Sequence, residues 1–450
     1  VVKVLLVSAN RLKTPYPVYP LGLDYVADAI SAEHQVRLAD MNEMENSDPL
    51  VEVIHEFLPD IVGLSLRNID NCDITAPKDY IAEYRELART VRRHSDALLV
   101  LGGSGFTLFP RDIMEALEAD YGIVGEGERL SLLLRAIETH QETSGIPGVV
   151  KSGSNGVIPS PWDGNLARGL HKESSYVPFY LKNGGMLNLQ TKRGCNFKCI
   201  YCTYPHIEGK KLRLIPPKEV ADTALWIEKT GAKYFFVTDS AFNADYRHSI
   251  AVARAFMRSG VSIPWGAFFA PTRPPEDYYR ILADAGLTHV EFGTESLSDD
   301  VLASYRKPFR AEHVLCSHEA ARDAGLHVAH YFLLGGPGED VHSVDRTLSN
   351  ADGLEGAVFF FFCGMRIYPN TALYDMAVAS AYISASRNLM APVFYESPEI
   401  TSEDIVQRVR DHAAGRTNWV VGSGEALTAR IIPRMYARGH YGPLWERLIR

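Results

Sequence analysis

Short apolar runs alternate with stretches of helical periodicity along the first 145 residues. KVLLVSA (3–9), VRLADM (36–41), IVGLSL (61–66), ALLVLGG (97–103) and YGIVG (121–125) read as strands. Between them, LGLDYVADAISAE (21–33) and DYIAEYRELARTVRR (79–93) carry the spacing of helices. The strands are apolar throughout instead of alternating, which predicts a parallel sheet covered on both faces. The expectation is an α/β, doubly wound, Rossmann-like domain over residues 1–145, with any ligand beyond the carboxyl ends of its strands. Residues 146–185 lose the periodicity; SGIPGV, SGSNG and PSPWDG mark a linker.

From residue 186 the alternation returns with a longer period. MLNLQTKRG (186–194), KYFFVTDS (233–240), PWGAFFA (264–270), HVEFGTES (289–296), HVAHYFLLG (327–335) and AVFFFFCGMRI (357–367) are the strand candidates, each followed by a helical stretch. Six such units predict a partial (β/α)6 barrel over 186–370, whose functional end is the carboxyl end of the strands. Residues 371–450 read as a small, mainly helical cap.

Composition narrows the class. With 450 residues and 46% apolar content the chain can bury a large core, enough for two or three domains. Its densest apolar run, AVFFFFC (357–363), falls far short of the ~20 residues that span a bilayer. The opening VVKVLLVSAN lacks a cleavage-like site, so a cytoplasmic protein is expected. The net charge of −9 argues against nucleic acid, whose phosphates need a basic surface, but not against a small anionic ligand. Cys72, Cys316 and Cys363 are scattered through apolar or helical contexts and read as ordinary buried thiols.

The other three cysteines fall together in TKRGCNFKCIYCTYP (191–205), at spacing Cys195-x3-Cys199-x2-Cys202. Clustered cysteines in a reducing compartment are better metal ligands than disulfides. Structural zinc takes four ligands, and the nearest fourth is His206, an unusual pairing. The alternative is a 4Fe-4S cluster in which one iron stays free of protein and binds a chelating molecule.

This triplet, placed after the first barrel strand and with Tyr201 before its third cysteine, resembles the radical S-adenosylmethionine (SAM) superfamily. The resemblance implies that Cys195, Cys199 and Cys202 hold a catalytic 4Fe-4S cluster whose open iron binds SAM, with Tyr201 near the adenine. It carries further SAM contacts onto strand ends: Asp239 and Ser240 in VTDSAFN (237–243), Glu295 and Ser296 in GTES (293–296), Gly336 in GGPGE (335–339) and Ile367 in RIYPN (366–370). Glu295 could also cap the next helix, and the glycines of GGPGE also suit a tight turn. Reduction of such a cluster needs a low potential, within a range that reaches about −700 mV, and so an electron donor such as flavodoxin or ferredoxin.

The first domain ends its strands in LSLRN (64–68), LGGSG (101–105) and VGEGE (124–128), and no GxGxxG follows its first strand. This set resembles the cobalamin-binding domain that precedes the barrel in one radical SAM class, and the resemblance spans roughly residues 3–370. It implies cobalamin contacts from Ser65, Gly102, Gly103, Gly125 and Glu126. The DxHxxG motif of many cobalamin domains is missing, since the loop SANRLKTPYPVYP (8–20) has no His. Arg67 is expected below cobalt without ligating it, because a guanidinium has no free lone pair; a salt bridge to Asp70 or Asp73 is its alternative.

The class implies a cobalamin-dependent radical SAM C-methyltransferase, in which a 5′-deoxyadenosyl radical activates an unactivated carbon and methylcobalamin supplies the methyl group. Two other readings stay open: ring formation, contraction or rearrangement with the same cofactors, and a cobalamin-binding sensor with a vestigial barrel. YPVYPLG and SLRNIDN resemble members of lipid biosynthesis, which implies a lipid-like or polyketide-like small molecule. Tyr16, Tyr19, Tyr395, Trp419 and Trp445 are aromatic candidates for a pocket or for packing.

Overall fold

The computed structural model describes residues 1–153, 169–171, 174–422, 429 and 431–449. The first sheet contains β1 (Lys3–Ser8), β2 (Gln35–Asp40), β3 (Ile61–Ser65), β4 (Leu98–Gly102), β5 (Tyr121–Ile123) and β6 (Val149–Lys151). Their order is β2-β1-β3-β4-β5-β6, parallel except for β6, which pairs antiparallel to β5. Leu5, Val7, Val62 and Leu64 pack toward one helical layer and Val4, Leu6 and Ile61 toward the other. That two-sided burial is why these strands are apolar at successive positions. Strand order reverses between β1 and β3, where Ser8 lies beside Ser65, so a crevice opens there beyond the strand ends.

The second sheet is built from β7 (Met186–Leu189), β10 (Tyr234–Val237), β11 (Trp265–Phe269), β12 (Leu287–Glu295), β13 (His327–Leu334), β14 (Ala357–Cys363) and β17 (Trp419–Val421); the short β8 (Lys192–Arg193) and β9 (Arg213–Leu214) form one ribbon and β15 (Met365–Arg366) and β16 (Phe394–Tyr395) another. All seven strands of the main sheet are parallel, in the order β17-β14-β13-β12-β11-β10-β7. Phe235, Val237, Ala267, Val290 and Phe292 join the helices in one core. The alternate positions, among them Phe236, Phe268, Glu291 and Tyr331, therefore turn to the inner face.

Two boundaries differ from the sequence reading. The first sheet continues to Lys151, beyond the expected end at 145, because three residues after the turn at Gly148 pair with β5. The cap contributes a seventh barrel strand, β17, and its Trp445 enters the lumen, where the indole N–H donates to Glu291 at 2.9 Å. The PSPWDG stretch of the expected linker lies outside the described residues. Cys363 is buried as expected, but Cys72 and Cys316 are exposed. No helix among the described residues is long and apolar enough to cross a membrane.

Candidate active site between the two sheets

The cysteine turn leaves the barrel directly after β7 and is fixed by backbone contacts. Gly194 sits at φ +90°, and a Cβ there would stand 2.1 Å from the Lys211 carbonyl oxygen; only glycine fits. Its N–H donates to Glu208 at 3.1 Å, and the Cys195 N–H donates to the Gly209 carbonyl at 3.1 Å. Ser240 donates to the Gly194 carbonyl at 3.2 Å. On the far side, the Ile200 N–H donates to the Tyr305 carbonyl at 3.2 Å. The turn is thereby anchored at both ends.

Cys195 is buried, and Cys199 and Cys202 are half-buried. Burial pushes the free Cys202 thiol up to about 12 and raises Cys199, an effect that the Lys307 ammonium opposes. Iron binding would displace these protons, as thiolate ligation requires. No group of three or more His, Cys, Asp or Glu among the described residues converges tightly enough for one metal ion. Thiolates are the donors that hold iron–sulfur clusters, and three on one turn would leave one iron of a 4Fe-4S cluster free of protein.

Next to the turn, Tyr201 donates to Glu295 at 2.7 Å, and Lys307 donates to the same carboxylate at 3.1 Å and to the Tyr201 oxygen at 3.2 Å. Glu295 is held at φ +63°, where the ladder of β12 and β13 shifts register. The Glu295 carboxylate raises the Lys307 ammonium against the opposing cost of burial. Sequence reasoning missed Lys307, since no spacing rule joins it to Glu295, twelve residues earlier.

Other expected SAM contacts are engaged within the protein. Asp239 accepts from the Thr191 N–H at 2.8 Å and from the Lys192 ammonium at 2.7 Å, both residues being buried. It fastens the strand to the turn instead of facing a ligand. Ser296 hydrogen-bonds Thr347 at 2.9 Å and accepts from the Ser298 N–H, turned toward the helix layer. At Gly336 a Cβ would lie 2.5 Å from the Tyr305 hydroxyl, so the glycine serves close packing. Ile367 is fully buried, and its N–H donates to Val393.

The carboxyl end of the first sheet carries a cavity of about 520 Å³ that also reaches the barrel. Ser65, Arg67, Gly102, Gly103 and Gly125 line it from one side, and Gln190, Thr203 and Tyr204 from the other. The glycines make it roomy. A Cβ on Gly22 would meet nothing within 4 Å, and one on Gly102 nothing closer than 3.9 Å. Gly103, at φ +98°, lies too close to Leu66 for any Cβ, at 2.6 Å. A shallow, glycine-lined floor of this kind fits a large planar cofactor such as cobalamin.

Arg67 is exposed in this cavity and makes no ion pair among the described residues. Its alternative partner, Asp70, is bound instead to Arg366 at 2.8 Å, and Asp73 accepts from Thr75 at 2.6 Å. Glu126 departs from expectation. It is fully buried between Arg213 at 2.6 Å and Arg193 at 3.2 Å, and it ties the first domain to the cysteine turn. Of the aromatic candidates, Tyr19 lines the cavity and donates to Asp24, whereas Trp419 stacks on Phe361 in the barrel core.

Comparisons with known proteins agree with this geometry. The B12 binding domain model matches residues 7–134 and the Radical SAM superfamily model residues 189–351. The chain therefore carries a B12-binding domain followed by a radical SAM domain, a pairing whose cofactors are a 4Fe-4S cluster, SAM and cobalamin. Among its relatives is an uncharacterized methyltransferase of Pyrococcus horikoshii, 26% identical over 374 residues, covering 80% of this chain and 79% of that protein. The cytidylyl-2-hydroxyethylphosphonate methyltransferase of Streptomyces wedmorensis is 26% identical over 430 residues, with the same two coverages. The fold matches that of the radical SAM methyltransferase TsrM from Kitasatospora setae, solved with cobalamin and a 4Fe-4S cluster, at TM-score 0.86 and 20% identity over 99% of this chain and 97% of that one.

Proposed function

We propose that this enzyme transfers a methyl group from SAM to a carbon atom of an apolar small molecule. One observation carries the reading: Arg193, Thr203 and Tyr204, which flank the cysteine turn, line the same cavity as the glycine-lined end of the first sheet. When bound, the cluster with SAM supplies a reductively triggered radical and cobalamin supplies a methyl carrier. Cys195, Cys199 and Cys202 hold the cluster. Tyr201, pinned by Glu295 and Lys307, forms a fixed wall for SAM, and Ser240 keeps the turn in place. Ser65, Gly102, Gly103 and Gly125 support cobalamin, and Arg67 faces it without a lone pair to offer cobalt.

The aromatic side chains of the barrel lumen support a ring-bearing portion in the substrate. Phe268 is 39% exposed although it lies in a central strand. Tyr331 stacks on Phe360 at 4.9 Å between ring centres and lies 6.5 Å from Phe362. Below them Glu291 already accepts from Tyr331 and Trp445, and burial raises its carboxyl. Phe236, Phe268, Phe360 and Phe362 make an aromatic stretch of this wall, suited to a ring-bearing, lipid-like or polyketide-like portion. A one-electron carrier such as flavodoxin or ferredoxin supplies the reducing equivalent.

Anaerobic turnover of the holoenzyme with methyl-labelled SAM and candidate substrates tests this function. The expected product carries the label on carbon, and Phe268→Ala raises KM for it. An unlabelled, rearranged product would replace methyl transfer with the isomerising alternative.

A further inference from the structure

On a chain of net charge −9, the segment 192–214 carries six basic residues and one acidic residue. Three of the six are neutralised inside the protein: Lys192 by Asp239, and Arg193 and Arg213 by Glu126 and Glu208. Lys198, Lys210 and Lys211 are exposed and make no ion pair among the described residues. All three border the cysteine turn. Lys198 precedes Cys199, and the Gly209–Lys211 backbone packs on Gly194 and Cys195. Leu214, 45% exposed, adds an apolar contact point on the adjoining ribbon.

We propose that this lysine face is the docking surface for an acidic electron-carrier protein. The proposal rests on the function above, which requires one electron at the cluster. The carrier, holding a low-potential flavin or iron–sulfur centre, is oxidised by one electron, and the cluster held by Cys195, Cys199 and Cys202 is reduced by one; no bond forms or breaks. The charges stand where steering is useful, because a basic face directs an acidic partner to the edge nearest the cysteine turn. Such steering accelerates encounter roughly 10- to 1,000-fold and fades as salt rises.

The test uses reconstituted holoenzyme and reductive SAM cleavage, driven either by reduced flavodoxin or by dithionite. The triple variant Lys198→Glu, Lys210→Glu, Lys211→Glu is expected to raise KM for flavodoxin at least tenfold and to leave the dithionite-driven rate at wild type. The neutral Lys→Gln triple variant is expected to fall between, and wild-type KM is expected to rise with ionic strength. As a control, Arg89→Glu with Arg93→Glu, on the helix Ile81–His94, should leave KM for flavodoxin unchanged. An unchanged KM in the lysine variant, or an equal loss with both reductants, overturns the docking role. Failure of wild type with both reductants would overturn the proposed function itself, and turnover with dithionite alone would overturn the docking role.

Discussion

Glu126→Gln separates two roles for one carboxylate. By motif, Glu126 belongs to the cobalamin contacts; by position, it is a buried clamp between Arg213 at 2.6 Å and Arg193 at 3.2 Å. Arg193 stays cationic against burial because Glu208 and Glu126 both face it. Removing one partner from a buried charge pair costs about 3–5 kcal/mol, since the remaining charge loses its compensation. Gln keeps a hydrogen-bond acceptor, and Glu208 remains 3.6 Å from Arg193, so the lower end, about 3 kcal/mol, is expected. For domains of this size that corresponds to a fall in Tm of roughly 6 to 12 °C. Scanning calorimetry of the apoprotein, iron content after reconstitution and a cobalamin titration form the assay. Lower Tm and reduced iron loading with unchanged cobalamin affinity are expected, because Arg193 adjoins the cysteine turn. Weaker cobalamin binding with unaltered Tm and iron loading would refute the clamp.

Two neighbouring glycines should fail in different ways. Gly103→Ala places a Cβ against the Leu66 backbone at positive φ, costing at least about 1–2 kcal/mol from the backbone conformation alone, visible as a lower urea midpoint. Gly102→Leu has room at its Cβ and is expected to retain stability but lose cobalamin in a binding titration; equal behaviour of the two variants would contradict the cradle. Glu339 supplies a pH signature: burial pushes its carboxyl from 4.5 up to about 7, while Tyr305 and the Gly335 N–H donate to it. A carboxyl with a raised folded pKa holds its proton longer in the folded state, so its contribution is complete below pH 4.5 and lost as pH rises through 7. The loss is on the order of 3 kcal/mol. Urea titrations across this window should show wild type weakening relative to Glu339→Gln; parallel curves would remove the assignment.

Most of the architecture was legible because each principal strand is an apolar run bounded by turn residues, as in IVGLSL and AVFFFFC. The strands missed in the two main sheets, β6 and β17, are three residues long, and the missed ribbon strands β9 and β16 only two, too short to show a period. At the site, the cysteine spacing and the cavity glycines were readable as local patterns. Which side chain of a strand-end pair faces the cavity was not. Asp239 and Ser240 are adjacent, yet Asp239 turns inward to Lys192 while Ser240 holds the turn. Glu295 and Ser296 diverge likewise, after a register shift that interrupts the two-residue alternation. Lys307 and the Arg193–Glu126–Arg213 clamp join distant segments, and only the folded chain brings them together.

Cluster and cobalamin are proposed to meet across one cavity, which Arg67 and Gly102 line on one side and Thr203 and Tyr204 on the other. Electron paramagnetic resonance of the holoenzyme, with the cluster reduced and cobalt in its divalent state, tests it without a substrate. A resolved dipolar interaction between the two spins is expected. Two magnetically isolated spectra from fully loaded protein would contradict it.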